Sequence, residues 1–393
     1  MTRAAPWLAA GVMLAATGAV AGCGSSGSSS ASAPGTAGVA PAKVSMATSI
    51  ATSEDNWAVV PMSADPAFWE VFARTANSGT WRLVTPPGAA DNGGLVASAG
   101  EAKSLTVAVL PSQDLVFSPI AQTANGGASW STGGPINAAV AASPGAFAAD
   151  GSHLAALLSD GTIETSPDAG ATWSTLAKPG AIAASPAAKG CGGAVRVTSL
   201  SFGKTSSEVL AGGTCGTSGT TAIFSYSPGT GWQRESLPVA GPLVRLGGGT
   251  ALVEGKAGLT ELAYGFGWYA YAPLSGSTPR PAPSGWDASA ALPVTGPVTA
   301  SGTLPAGGSW VLLSGGRAAT IDGPSPANSA AARWTLLPPV PARTTVLAAG
   351  SGGAVDALAV SGTTLTVWQL APKATAWSEV QAINVPIQVG SSS

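Results

Sequence analysis

The run Ser166-Pro167-Asp168-Ala169-Gly170-Ala171-Thr172-Trp173 decides the fold. It reads as a tight turn between two strands. The Asp carboxylate accepts hydrogen bonds from N–H groups of the turn, and the glycine takes a positive φ. Thr-Trp then opens the next strand, where an aromatic suits a half-buried pleated surface. Weaker copies recur along the 393-residue chain, each tagged by a tryptophan: Trp81, Trp130, Trp173, Trp232, Trp286, Trp334 and Trp377. The spacings run from 43 to 59 residues, and a proline follows each (Pro86, Pro135, Pro179, Pro238, Pro293, Pro338, Pro386).

Ahead of each tryptophan lie two β-type runs. In the third unit these are Leu154 to Leu158 and Thr162 to Thr165, joined through the hairpin signal Asp160-Gly161. A fourth strand fits after the proline, as in Ala138 to Ala149. Four short strands per unit, repeated seven times, predict an all-β chain: a seven-bladed β-propeller of four-stranded blades over residues 43–389, with a tail at 390–393. Each blade would bury its faces against its neighbours. The long Pro-rich stretch from Pro273 to Ser284 in the fifth unit leaves six or eight blades open. A pair of β-sandwiches would require no repeat with a fixed tryptophan.

Ser166-x-Asp168-x-Gly170-x-Thr172-Trp173 resembles the Asp-box (BNR) motif. So does Thr123-x-Asn125-x-Gly127-x-Ser129-Trp130, with Asn for Asp, while Asn77-Ser78-Gly79-Thr80-Trp81 is a copy one residue short. The last four units keep only Ser-Pro or Ala-Pro before the turn, and the tryptophan. The chain is thus similar to Asp-box propellers such as sialidases, xyloglucanases and the photosystem II assembly factor family. The resemblance implies that these turns sit on the outer rim as folding devices, with Asp168 no catalytic acid. It also implies where sialidase chemistry would lie, and that chemistry is missing. No Arg-Ile-Pro stretch occurs, the arginines form no cluster, and only four tyrosines are present.

The N-terminus reads as an address followed by an anchor. Residues 1–22 form a secretory signal, with Arg3 ahead of an apolar core from Trp7 to Val20. Val20-Ala21-Gly22-Cys23 resembles a bacterial lipobox, which implies lipidation of Cys23. An ordinary signal peptide or a short membrane helix are the alternatives, the run being short for a span of about 20 residues. Residues 23–42 are almost wholly Gly, Ser, Ala and Pro, the composition of a flexible tether. The expected location is the outer face of the plasma membrane, in the cell envelope of a GC-rich bacterium.

Composition narrows the chemistry. Net charge is −2, so no basic field draws nucleic acid or anionic lipid. The single histidine, His153, leaves HExxH, Cys/His zinc and Ser-His-Asp sites without partners. Neither a metal nor a cofactor is expected. Cys191 and Cys215, an even pair in an exported chain, are expected to form a disulfide; two buried thiols are the alternative. Glu254 and Glu261 are the only acidic pair close together in strand-like sequence, and nothing pairs them as a hydrolase requires. Phe202-Gly203-Lys204-Thr205 lacks the first glycine of a phosphate loop, and Gly247-Gly248-Gly249 reads as a plain loop. The aromatic alternation from Tyr264 to Tyr271 could stack a sugar or a peptide, or serve as blade core. The expectation is a binding or scaffold protein for an envelope protein or glycan, the alternative a divergent glycoside hydrolase.

Overall fold

The computed structural model describes residues 47–62, 68–75, 78–87, 95–109, 111, 115–217, 219–264, 285–292, 296–322 and 332–386. The leader, Cys23 and the tether lie outside the described residues. So do Asn77, Pro293, the 273–284 stretch, the aromatics at 266–271, Ser325-Pro326 and the tail.

Seven four-stranded antiparallel sheets form the ring, each built from four consecutive strands. Blade 1 comprises β1 (Thr48–Ala51), β2 (Asp55–Pro61), β3 (Trp69–Thr75) and β4 (Arg82–Leu83). Blade 2 holds β5 (Leu95–Glu101), β6 (Ser104–Val109), β7 (Ile120–Thr123) and β8 (Ser131–Thr132). Blade 3 holds β9 (Phe147–Asp150), β10 (His153–Leu157), β11 (Ile163–Ser166) and β12 (Ser174–Ala177). Blade 4 holds β13 (Val195–Phe202), β14 (Val209–Cys215), β15 (Thr220–Ser227) and β16 (Gly231–Arg234). Blade 5 holds β17 (Leu243–Gly247), β18 (Thr250–Gly255), β19 (Gly258–Tyr264) and β20 (Trp286–Ala288). Blade 6 holds β21 (Val298–Thr303), β22 (Ser309–Leu313), β23 (Arg317–Ile321) and β24 (Thr335–Leu336). Blade 7 holds β25 (Thr344–Ala349), β26 (Val355–Ser361), β27 (Thr364–Leu370) and β28 (Ser378–Asn384). The count is seven, and the open alternatives of six and eight fall away.

Alternation places the core. The middle strands of each blade are buried on both faces, with Trp57, Phe72, Leu105, Leu210, Ile223 and Trp310 fully enclosed between blades. The inner strands β5, β13, β17, β21 and β25 each carry a register shift near their start. Such bulges sharpen the local twist, so the strand can turn its face along the axis of the ring. One element escaped the sequence: a short helix α1 (Ala181–Ala184) and a helical turn at Pro186–Ala188 connect blades 3 and 4. Its alanines carry too little periodicity to separate helix from strand.

Among the described residues no strand is exchanged at the seam between blades 1 and 7, and side chains close the ring. Arg74 of β3 pairs with Asp356 of β26 (3.2 Å), both side chains being almost wholly buried. Arg74 also donates to the Ala349 carbonyl and stacks over Trp81 (5.2 Å to the ring centre). The Gln381 amide exchanges two hydrogen bonds of 2.8 Å with the Trp81 backbone. Strand β1 reaches further still, to blade 6. Thr48 Oγ1 donates to the Ser301 carbonyl (2.8 Å), the Ala51 N–H donates to Thr303 Oγ1 (2.8 Å), and Trp310 Nε1 donates to Ser49 Oγ (2.7 Å).

Candidate functional site

The turn at 166–173 is tied by its own side chains. Ser166 Oγ donates to Asp168 Oδ1 (2.8 Å) and accepts from the Gly170 N–H (2.7 Å). Asp168 also accepts from the Thr172 N–H (2.8 Å) and hydroxyl (2.6 Å). The Thr172 hydroxyl, then its N–H, then the Ser166 hydroxyl hold the Asp168 carboxyl down at about 2. The turn of blade 2 repeats the pattern with an amide. Asn125 Oδ1 accepts from Thr123 Oγ1 and the Ser129 N–H, each at 2.9 Å, while Nδ2 donates to Ser129 Oγ (2.8 Å). In the blade 1 turn the Ser78 N–H donates to the Thr75 carbonyl (2.9 Å). Gly170 has φ 82°, and a Cβ there would stand 2.1 Å from the Gln122 amide of blade 2. The turn therefore packs on the preceding blade, and its positive φ calls for glycine.

All seven tryptophans stand at the opening of a fourth strand. Trp130 Nε1 donates to the Val84 carbonyl of blade 1 (2.7 Å), and Trp377 Nε1 to the Pro338 carbonyl past blade 6 (3.4 Å). Trp81 Nε1 donates to Asp356 Oδ2 of blade 7 (2.9 Å). Each of these three indoles staples its blade to the one before it. Trp232 packs on Tyr226 (ring centres 5.3 Å), while Trp173, Trp286 and Trp334 bury an N–H with no hydrogen-bond partner among the described residues. Cys191 and Cys215 form a disulfide, fastening the loop after the helical turn to the end of β14.

The concave site is elsewhere. A cavity of about 1430 Å³ lies inside the ring, walled by β1, β5, β9, β13, β17 and β21. Strand β25 takes no part, because β1 lies against β21 and screens it. Most of the wall is Ala, Gly, Ser and Thr. Its charges are Arg196 at the end where the inner strands begin, Arg245 on β17, and Asp150 and Lys204 at the opposite end. Asp150 is the sole carboxylate among the described lining residues.

Arg245 is anchored from behind. Its Nη2 donates to Ser309 Oγ (2.5 Å) and lies 3.9 Å from Glu261 Oε1, and Ser309 Oγ donates onward to that carboxylate. Burial pushes the Glu261 carboxyl up to about 7; the Ser309 hydroxyl and Arg245 work against that rise without cancelling it. Glu254, its sequence neighbour, is exposed, so the two do not act as a pair. His153 begins β10 opposite Asp150, an ordinary hairpin position. Among the described residues no group of three His, Cys, Asp or Glu could hold a metal. Sequence reasoning passed over Arg245 and Arg196, because lone cations on strands carry no spacing signal, and met Lys204 only in a rejected phosphate-loop match. Only the ring brings them to one cavity.

No family model and no curated protein sequence matches the chain. Solved structures do. YCF48 from Cyanidioschyzon merolae is 13% identical over 82% of this chain and 92% of its own, with a TM-score of 0.42. The GH74 xyloglucanase from Xanthomonas campestris is 14% identical over 88% of this chain and 46% of its own (TM-score 0.33). The Aleuria aurantia lectin in complex with Fucα1-6GlcNAc is 13% identical over 74% and 96% (TM-score 0.37). At such identities the likeness is one of fold, and these structures are β-propellers, as this chain is.

Proposed function

We propose that the protein is an Asp-box propeller that acts as a binding or scaffold protein in the cell envelope, held by a lipid on Cys23. The observation that carries the binding role is the cavity wall. Among the described lining residues three cations and one carboxylate stand among small side chains, and no second acid there completes a hydrolytic pair. Such a wall suits an extended, anion-bearing segment of a partner that enters the ring. The turns at 166–173 and 123–130 support the Asp-box reading, and the Val20-Ala21-Gly22-Cys23 run supports the anchor.

The test is photo-crosslinking in intact cells from a probe at Thr198 on the cavity wall. A discrete adduct that Arg196→Glu abolishes supports the role. A wall that crosslinks to nothing, in a purified chain that releases reducing sugar from polysaccharide, defeats it. The anchor is tested separately: Cys23→Ala should move the protein from the membrane fraction to the soluble one and end labelling by an alkynyl fatty acid.

A further inference from the structure

A second, smaller concavity opens beside the Lys204 mouth of the cavity, where blade 4 meets blade 5. It encloses about 480 Å³ and is lined by Lys204, Glu235, Ser236, Pro238, Tyr264 and Trp286 among others. Lys204 and Tyr264 belong to both walls, so pocket and cavity share that mouth. We infer that this pocket binds an uncharged saccharide unit, recognised through hydroxyl donation to Glu235 and contact with the Tyr264–Trp286 wall.

The argument starts from donors and acceptors. The Tyr264 hydroxyl faces two carboxylates: Glu208 Oε1 at 2.9 Å and Glu235 Oε1 at 3.4 Å. One phenol carries one proton, and the shorter contact takes it. Burial, reinforced by Glu235 and Glu208, raises the Tyr264 hydroxyl well above its ordinary value, so it stays a donor. Glu208 is further held by the Lys204 N–H on Oε2 (2.7 Å). Glu235 receives only the Ser225 hydroxyl, at 2.5 Å on the same Oε1, and among the described residues nothing donates to its Oε2. A half-buried carboxylate on the pocket wall with spare acceptor sites calls for a ligand rich in donors.

The apolar side is set as firmly. Tyr264 and Trp286 lie with ring centres 5.0 Å apart and planes at 43°, and Trp286 is buried behind, so the half-buried Tyr264 ring is the main part of this wall that a ligand meets. The Lys204 ammonium sits 5.5 Å from the Tyr264 ring centre and can turn a donor toward a ring or hydroxyl oxygen. A pyranose presents just this division, with a C–H face for the aromatic wall and hydroxyls for the carboxylate and the ammonium. The volume fits one or two sugar rings. Two carboxylates against one ammonium disfavour an anionic sugar, and an apolar ligand would leave Glu235 desolvated and unpaired. The inference rests on the reading of the protein as a binder and names one class of ligand beside the cavity.

The test presents the full chain in detergent to an array of uncharged and acidic oligosaccharides, with titration of hits by saturation-transfer NMR. Binding should favour uncharged members. Glu235→Gln, and separately Lys204→Ala at an exposed position, should each weaken it by about tenfold or more. Arg196→Glu, at the far end of the cavity, should leave saccharide affinity unchanged while it abolishes the Thr198 crosslink. Absence of binding at about 10 mM oligosaccharide, preference for acidic members, or hits indifferent to both Glu235→Gln and Lys204→Ala overturn the inference. Cleavage of a bound uncharged oligosaccharide would support the ligand class while defeating the binding-protein reading. If Glu235→Gln fails to fold, Lys204→Ala decides the matter.

Discussion

The Trp81 indole N–H donates to the Asp356 carboxylate at 2.9 Å, although the two residues stand 275 positions apart. This tryptophan is the first of the repeat, and Asp356 belongs to the last blade. The repeat tryptophan that staples blade 2 to blade 1 and blade 7 to blade 6 thus also joins blade 1 to blade 7. Arg74, Gln369 and Gln381 complete the closure around it. Removing one partner of a buried pair leaves the other charge stranded, which typically costs about 3–5 kcal/mol. Asp356→Ala should lose stability on that scale in urea unfolding. The paired change Arg74→Met with Asp356→Leu should recover part of the loss, because the Trp81 and Gln369 donors to Asp356 stay unpaired.

The pH response of the cavity wall follows from Glu261. Its folded value, about 7, lies above the ordinary 4.5 because of burial. Between these values the unfolded chain has already released a proton that the folded chain retains, so stability falls as pH rises through this window. The contribution is fully present below about 4.5 and gone above about 7. Melting temperatures across that range should decline with pH in the wild type, and Glu261→Gln should flatten the slope.

Asp168 acts in the opposite sense. Its carboxyl sits at about 2, below the ordinary 3.8, so its stabilising effect is present above 3.8 and lost as pH falls through 2. Asn125 holds the matching turn of blade 2 with an uncharged amide. Asp168→Asn should therefore keep the turn and remove the acid-limb dependence, whereas Asp168→Ala should lower the melting temperature. Amide exchange at Thr172 separates the two: slow in Asp168→Asn, fast in Asp168→Ala.

The disulfide closes a sequence separation of 24 residues. On the loop-entropy scale its removal costs about 3 kcal/mol. Cys191→Ser with Cys215→Ser should shift the unfolding midpoint accordingly. Proteolysis should then cut first near the helical turn at Pro186–Ala188, whose following loop the bond fastens.

The architecture was legible because the fold repeats itself. Turn chemistry at Asp168 and Asn125, Asp-Gly hairpins and a regularly placed tryptophan are local signals, each visible in a few adjacent residues. Strands β10 (His153–Leu157) and β11 (Ile163–Ser166) lie within one residue of the runs read at 154–158 and 162–165. The site was not legible. Arg196 of β13 and Lys204 just past it reach opposite ends of the cavity, Arg245 joins them from the next blade, and Glu261 looks like a surface carboxylate until Ser309 of the next blade covers it. The role of β1 was equally hidden: its contacts with Ser301 and Thr303 span some 250 positions, and no window of sequence encodes them.

Each sheet is one unbroken stretch of chain, and among the described residues no strand is shared across the seam between blades 1 and 7. A gene duplication or loss of one unit would add or remove a complete sheet and orphan no strand. The polypeptide could likewise be rejoined end to end and reopened between any two sheets. Ring size is thus open to change by whole units, with the indole hydrogen bonds of Trp81, Trp130 and Trp377 marking three joints that would have to be refitted.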